Sequence, residues 1–341
     1  MKLLFTFCTY LLFAMPFSGW ASEVGTTYLK FTDETRNRPI EVRVWYPAKR
    51  VPDAERITYY SAFKGTAISD APYLSGHGHY PLIMLSHGDR GSHIDQSWMA
   101  ESLAANGYIV AAPSHWLNTW MENTPEATIA VWERPKDVSF TLNRLLKHKL
   151  WRERINAQLI GVAGHSAGGY TALALAGAQY DVEQMQTYCE TKNWQQECDL
   201  VAGADFDSID ATQSTLSYLD TRIKAVFAMA PALGPAISID SLNSIKVPVM
   251  IVAAEDDELV QFAENAAVFS QQIPKAKLTT LSQGGHFVFM PECTTPGKLF
   301  TYFHRFDVCG HRSNTEKIRP ELHLNIEQVA LHFFDKNLKA R

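Results

Sequence analysis

Short apolar, β-branched runs recur along the chain, at 27–31, 40–46, 82–86, 109–112, 159–163, 225–229, 249–253 and 277–281. Several are apolar at every position, which predicts strands covered on both faces by helices. The run at 40–46 instead alternates Ile40, Val42 and Val44 with Glu41 and Arg43, so the first two runs read as an antiparallel edge pair. Between the runs, apolar residues return at helical spacing and predict helices at 95–106, 136–149, 166–178, 260–272 and 321–339. The first of these begins at Asp95 as an acidic cap and stops before Gly107; the second sets Val138, Leu142, Leu145 and Leu146 on one face. Strand–helix alternation of this kind predicts an α/β domain built on a doubly wound, mostly parallel sheet. Three long segments interrupt it, at 113–134, 179–222 and 291–320. Insertions of that length in a compact domain form binding walls or lids.

The first residues break the pattern. Lys2 is followed by an almost unbroken apolar run to Met15, then by small residues up to Ala21, the layout of a secretory signal peptide cut after Ala21. The run is short for a membrane span of about 20 residues. Residues 1–21 are therefore expected to be removed, leaving an exported domain of 22–341 with no membrane-spanning segment. The formal charge of −5 disfavours nucleic acid and anionic membranes as partners. Of five cysteines, Cys8 falls in the leader, and the remaining four are an even set in an exported chain. They are expected to form the local disulfides Cys189–Cys198 and Cys293–Cys309. No cysteine lies two residues from another and no histidines cluster beside them, which argues against zinc.

Candidate chemistry centres on "GHSAGGY", Gly164–Tyr170, between a predicted buried strand and a predicted helix. Gly-x-Ser-x-Gly in that context is a nucleophile elbow, a tight turn that lifts the Ser166 hydroxyl clear of the sheet. A serine hydroxyl needs a base to take its proton. His286, in "SQGGHFVFM" directly after the last predicted strand, is the candidate. The base needs an acid to orient it, and the strand at 249–253 runs into Glu255-Asp256-Asp257-Glu258. The chain order serine, acid, histidine suits either aspartate; counting three residues on from the small Ala254 selects Asp257 over Asp256, which then reads as a solvated charge. Backbone N–H donors for an oxyanion are expected at Ala167 and at Asp89, the latter in "LIMLSHGDRGSH". His87 reads as a packing or hydrogen-bonding residue, and Arg134 and Asp137 as anchors of the following helix.

The stretches "RVWYPA", "MLSHGDRGSHIDQSWMAESLAANGYIVAAPSHW", "ERPKDVSFTLNRL", "GHSAGG" and "GGHFVFMPEC" together resemble the platelet-activating-factor acetylhydrolase and predicted dienelactone-hydrolase branch of the α/β-hydrolases, from about Glu41 to about Cys293. The resemblance implies a cofactor-free serine esterase with Ser166, Asp257 and His286 at the matching triad positions. Dienelactone hydrolases carry a cysteine where this chain has Ser166. Animal platelet-activating-factor hydrolases carry their acid where "VFAMAPALGP" has none.

The expected activity is hydrolysis of carboxylic esters, of short-acyl lipids or other small ester molecules, with neither cofactor nor metal. Two other readings compete: a cutinase-like polyester hydrolase, and a non-catalytic binding protein on a hydrolase scaffold. Asp205, Asp207 and Asp210 lack the glycine and distal glutamate of a calcium loop and read as a solvated acidic turn. Trp116, Trp120 and Trp132 serve equally as core filling or as the wall of an acyl pocket.

Overall fold

The computed structural model describes residues 22–74, 78–191, 198–200, 203–302 and 306–339. The expected leader, 1–21, and Trp194 lie outside the described residues. Nine strands form one sheet: β1 (Glu23–Asp33), β2 (Arg38–Ala48), β3 (Ile68–Ser69), β4 (Tyr80–Ser86), β5 (Ile109–Pro113), β6 (Ile155–His165), β7 (Ile223–Met229), β8 (Val249–Ala254) and β9 (Ala276–Leu281). Their spatial order is β3-β1-β2-β5-β4-β6-β7-β8-β9. β1 and β2 are antiparallel along their whole length, β2 meets β5 antiparallel, and every pair from β5 to β9 is parallel. All eight expected strands are present, each extended by up to a few residues. β3 was not legible; its two residues pair only with Gly25 and Thr26 of β1.

The helices are α1 (Ser97–Ala105), α2 (Pro125–Ile129), α3 (Glu133–Lys147), α4 (Ala167–Ala174), α5 (Val182–Thr191), α6 (Ile239–Ser244), α7 (Ala266–Gln272), α8 (Thr295–Thr301) and α9 (Thr315–Phe334). Strand side chains alternate between two cores. On β4, Leu82 and Met84 join Val138 and Leu142 of α3 on one face, while Ile83 and Leu85 join Met99 and Leu103 of α1 and Phe333 of α9 on the other. β8 divides in the same way, with Val249 and Ile251 on the first face and Met250 and Val252 on the second. Covering both faces accounts for strands that are apolar at every position. No helix among the described residues is long and apolar enough to cross a membrane.

Four helix expectations need correction. Asp95 does not cap α1: it accepts the Ser92 hydroxyl at 3.0 Å, and Gln96 occupies the cap position without a side-chain bond. α4 ends at Ala174, short of 178, and Ser166 lies outside it. The start of 260–272 is not helical, because Asn265 accepts Gly234 N–H at 2.6 Å and donates to Gln261 O at 3.0 Å, which holds that segment in turns. α9 starts six residues early and contains Pro320 at its sixth position, where the ring removes one i→i−4 backbone bond.

The three insertions carry structure of their own. The first holds α2, capped by Thr124, whose hydroxyl accepts Ala127 N–H at 3.1 Å. The second holds α5, which buries Val182, Met185 and Tyr188. The third holds α8 and the start of α9. Both expected disulfides are present, Cys189–Cys198 and Cys293–Cys309, closing separations of 9 and 16 residues.

Non-reducing peptide mapping should recover these two pairs and no cross-pair. Replacing Cys293 and Cys309 together by serine should cost about 2–3 kcal/mol of stability, the range for loops this short, read as a lowered denaturant midpoint.

Candidate active site

The sheet reverses its winding direction at β4, which has β5 on one side and β6 on the other. Loops leaving the carboxyl ends of strands at such a point face a common crevice. The loop after β4 supplies His87–Gly91 and the turn after β6 supplies Ser166.

Ser166 has φ 58° and ψ −122°, a strained conformation for a residue with a side chain. Its neighbours impose that turn. A methyl group on Gly168 would collide with the Ser86 carbonyl oxygen, and one on Gly164 with the carbonyl of Gly168. Only glycine lets β4, β6 and α4 approach so closely. The serine backbone is pinned as well: Ser166 N–H donates to Met229 O at 2.9 Å, and its carbonyl accepts from Tyr170 and Ala232.

Asp257 follows β8 and His286 follows β9. The two meet at 2.7 Å, Nδ1 to Oδ2, both buried. The other Asp257 oxygen accepts Leu259 N–H at 2.9 Å and Val260 N–H at 2.7 Å, which fixes the carboxylate. Nδ1 facing a carboxylate carries the proton and leaves Nε2 as the basic nitrogen. The His286 ring lies 4.6 Å from that of His165, the residue before Ser166, and His165 Nε2 donates to His286 O at 3.1 Å. The histidine loop is thereby tied to the serine turn.

Asp256 is exposed, as expected of a solvated charge, and it also takes part in the histidine loop. Its carboxylate accepts Gly284 N–H at 3.1 Å and Gly285 N–H at 2.9 Å, and Glu258 accepts His286 N–H at 3.1 Å. The acidic run therefore divides its work: Asp257 meets the ring while Asp256 and Glu258 hold the backbone that presents it.

Of the two expected oxyanion donors, Ala167 follows Ser166 directly and Asp89 is one residue on from Gly88, which packs against Ser166. Ala167 N–H opens α4, where the first amides have no intrahelical acceptor. Asp89 follows Gly88, which is so placed that a Cβ on it would sit 3.3 Å from Ser166 Cβ. Among the described residues neither amide donates to a protein acceptor. The Asp89 carboxylate is occupied elsewhere, accepting Asn118 Nδ2 at 2.6 Å and Thr128 Oγ1 at 2.9 Å.

Two buried arginines were not recognised as part of the site. Arg134 anchors more than its helix: it donates to His87 O at 2.7 Å, to Gly88 O at 2.8 Å and to Asn118 Oδ1 at 2.5 Å. Arg319 donates to Phe287 O at 2.9 Å, Val308 O at 2.7 Å, Pro291 O at 3.1 Å and Cys309 O at 3.4 Å, joining the histidine loop to the second disulfide. Burial brings each guanidinium down to about 10, so both stay charged. His87 is a hydrogen-bonding residue, as expected. Its Nε2 accepts His115 N–H at 3.0 Å, which leaves Nδ1 to donate to Gly88 O at 2.7 Å. Burial holds this ring neutral, with the neighbouring Arg134 charge acting in the same direction.

A hydrogen-bonded serine–histidine–aspartate chain also runs through the core, at the end of β4. Ser86 Oγ is 2.9 Å from His115 Nε2, and His115 Nδ1 is 3.1 Å from Asp137 Oδ2. Burial would raise the Asp137 carboxyl, but the His115 hydrogen bond and the Arg38 charge outweigh it and hold it well below its ordinary range. All three side chains are sealed from solvent, so no substrate reaches Ser86. This chain is part of the core.

Trp132 is core as well, packed near Tyr180. Trp116 lies under the Arg38 guanidinium. Trp120 is 47% exposed, with its backbone N–H on Gly91 O and its ring against Tyr60, so among the three it is the one at the rim of the crevice. Asp205 and Asp210 cap 3-10 turns, and among the described residues no cluster of histidine, cysteine or acidic side chains is placed to hold a metal ion.

The chlorophyllase family profile matches residues 68–189, about a third of the chain, a stretch containing the β4 loop and Ser166. Cutinase 1 of Thermobifida cellulosilytica is 27% identical over 141 residues, covering 38% of this chain and 49% of that protein. Cutinase est1 of Thermobifida alba is 28% identical over 146 residues, covering 40% and 45%. The chain thus spans about half the length of the curated relatives it matches. Among solved structures, a ferulic acid esterase from Streptomyces cinnamoneus superposes with a TM-score of 0.60 at 21% identity, covering 94% of this chain and 91% of that one. With the strand order and the serine turn described above, this likeness identifies the architecture as the α/β-hydrolase fold.

Proposed function

We propose that this protein is an exported serine carboxylic-ester hydrolase, with residues 22–341 as one catalytic domain after removal of 1–21. The observation that carries the reading is the 2.7 Å contact of Asp257 with His286 beside a serine held at φ 58°. In this reading Ser166 Oγ attacks the ester carbonyl while His286 Nε2 takes its proton, and Asp257 stabilises the imidazolium. The carbonyl oxygen becomes an oxyanion held by the Asp89 and Ala167 amides. Collapse breaks the bond to the alcohol oxygen, which receives the proton from His286. Water then releases the acid by the same route, restoring Ser166. The paired disulfides and the likeness to cutinases support an exported esterase.

Small esters and short-acyl lipids are the proposed substrates, and the order of motifs between Glu41 and Cys293 supports placement in the platelet-activating-factor acetylhydrolase-like branch. The second insertion favours a walled site over an open one, since Leu200 O accepts Arg90 Nη2 at 3.0 Å beside the β4 loop. A polyester substrate is the second reading, favoured by the exposed Tyr60, Trp120 and Met121 at the rim and by the cutinase likeness.

Rates across p-nitrophenyl esters from acetate to palmitate, measured beside release from a polyester film, separate these readings. The fastest turnover should fall on acetate and butyrate, whereas film release matching soluble butyrate would favour the polyester. No hydrolysis of any substrate would reduce the chain to a binding scaffold.

Ser166→Ala should abolish ester hydrolysis with the fold intact, and a phosphonate reagent should label the native chain once, at Ser166 and not at the buried Ser86. Undiminished activity in the variant would sink the mechanism.

Asp257→Asn should lower kcat by about 10⁴-fold, because the amide favours the wrong tautomer of His286. Asp256→Asn should cost about tenfold or less, since asparagine keeps one acceptor for the Gly284 and Gly285 amides. Reversed magnitudes would show that Asp256 orients the base.

A further inference from the structure

Three donors converge on one carbonyl oxygen in the β4 loop. Gly88 O accepts Arg134 Nη2 at 2.8 Å, His87 Nδ1 at 2.7 Å and Gly91 N–H at 3.2 Å. That oxygen belongs to the peptide unit whose nitrogen end is Asp89 N–H, an amide with no protein acceptor among the described residues, one residue on from the Gly88 that packs against Ser166. Hydrogen bonds received at a peptide oxygen draw electron density toward it and make the N–H of the same unit a stronger donor. Here one of the three comes from a full positive charge, in a site where His87 and Arg134 are both sealed from water.

We infer that Arg134 is a positioning residue for ester hydrolysis: through the Gly88 carbonyl it orients and polarises the Asp89 amide toward the developing oxyanion. The inference rests on the serine-esterase reading above. The rest of the Arg134 environment fits this role better than that of a helix anchor. Every one of its hydrogen bonds leaves α3: two reach successive carbonyls of the β4 loop, and the third reaches Asn118. Asn118 in turn donates to the Asp89 carboxylate, so the same guanidinium steadies the side chain and the main chain of the donor residue. The Asp89 carboxylate would by itself oppose an oxyanion at its own amide. The Arg134 charge, together with the bonds from Asn118 and Thr128, offsets it.

Arg134→Met removes both the charge and the donors; Arg134→Lys keeps the charge but cannot span the His87 and Gly88 carbonyls and Asn118 at once. In the full-length secreted protein, checked for native circular dichroism and thermal unfolding, Arg134→Met should lose about 10- to 100-fold in kcat on p-nitrophenyl acetate, somewhat less than deletion of an oxyanion donor outright. KM and the pH dependence of kcat should stay unchanged. Arg134→Lys should fall between the variant and the native chain. A trifluoromethyl ketone, whose carbon takes the Ser166 oxygen while His286 takes the proton, leaves an oxyanion in the same place, and its affinity should fall in step with kcat. A folding defect alone would not produce that parallel.

Folded variants with native kcat and native ketone affinity would overturn the inference while leaving the esterase reading untouched. A parallel rise in KM would also overturn it, by placing Arg134 in substrate binding. If only the lysine variant folds, it decides alone. If neither folds, Arg134 is needed for the core itself and the inference is withdrawn. A native chain inactive on every ester sinks this inference together with the reading it rests on.

Discussion

Ser166 at φ 58° is the constraint around which the rest of the molecule is arranged. A residue with a side chain does not hold that conformation unless its surroundings over-determine it, at a cost on the order of 1–3 kcal/mol. Here they do so from several directions. Met229 and Ala232 grip the serine backbone from the β7 side, and Gly168 rests against the end of β4. The sheet order matters for the same reason: β4, β6 and β7 are neighbours, so three strands hold one turn.

The loops that complete the crevice are secured differently. They have few strand partners of their own, and each is fastened by one arginine whose bonds go mainly to main-chain carbonyls. Arg134 serves the β4 loop and Arg319 the histidine loop. A planar guanidinium with five donors suits this task because it can reach several carbonyls in fixed geometry. Acidic side chains hold the amide side of the histidine loop, Asp256 on the glycine pair and Glu258 on His286. Loop positions are thus set by charge-assisted bonds in place of sheet pairing.

This division explains what could be read from the chain. Eight strands were legible because burial on both faces leaves unbroken apolar runs, and the triad candidates were legible because glycines, strand ends and chain order leave their own marks. The count from Ala254 reached Asp257, the aspartate that contacts the His286 ring. β3 left no mark, since two residues are too few for a period. Arg134 and Arg319 left none because their partners are mostly backbone carbonyls, which every residue has; nothing in a lone arginine announces burial. Asp256 is exposed as expected, but its backbone role left no mark for the same reason, its partners being the amides of two glycines 28 and 29 residues further on.

The crevice is also assembled from distant parts of the chain. Gly88, Ser166, Asp257 and His286 are contributed by four separate strand ends, and the candidate base His286 is supplied only after β9. Contacts of such long sequence separation form late, because the loop-closure entropy must be overcome before they return any stabilisation. A nascent chain that has reached only Ala254 carries Ser166 and both candidate amides yet lacks Asp257 and His286. Under the proposed mechanism, Ser166 would therefore gain its base only once β9 has docked on β8.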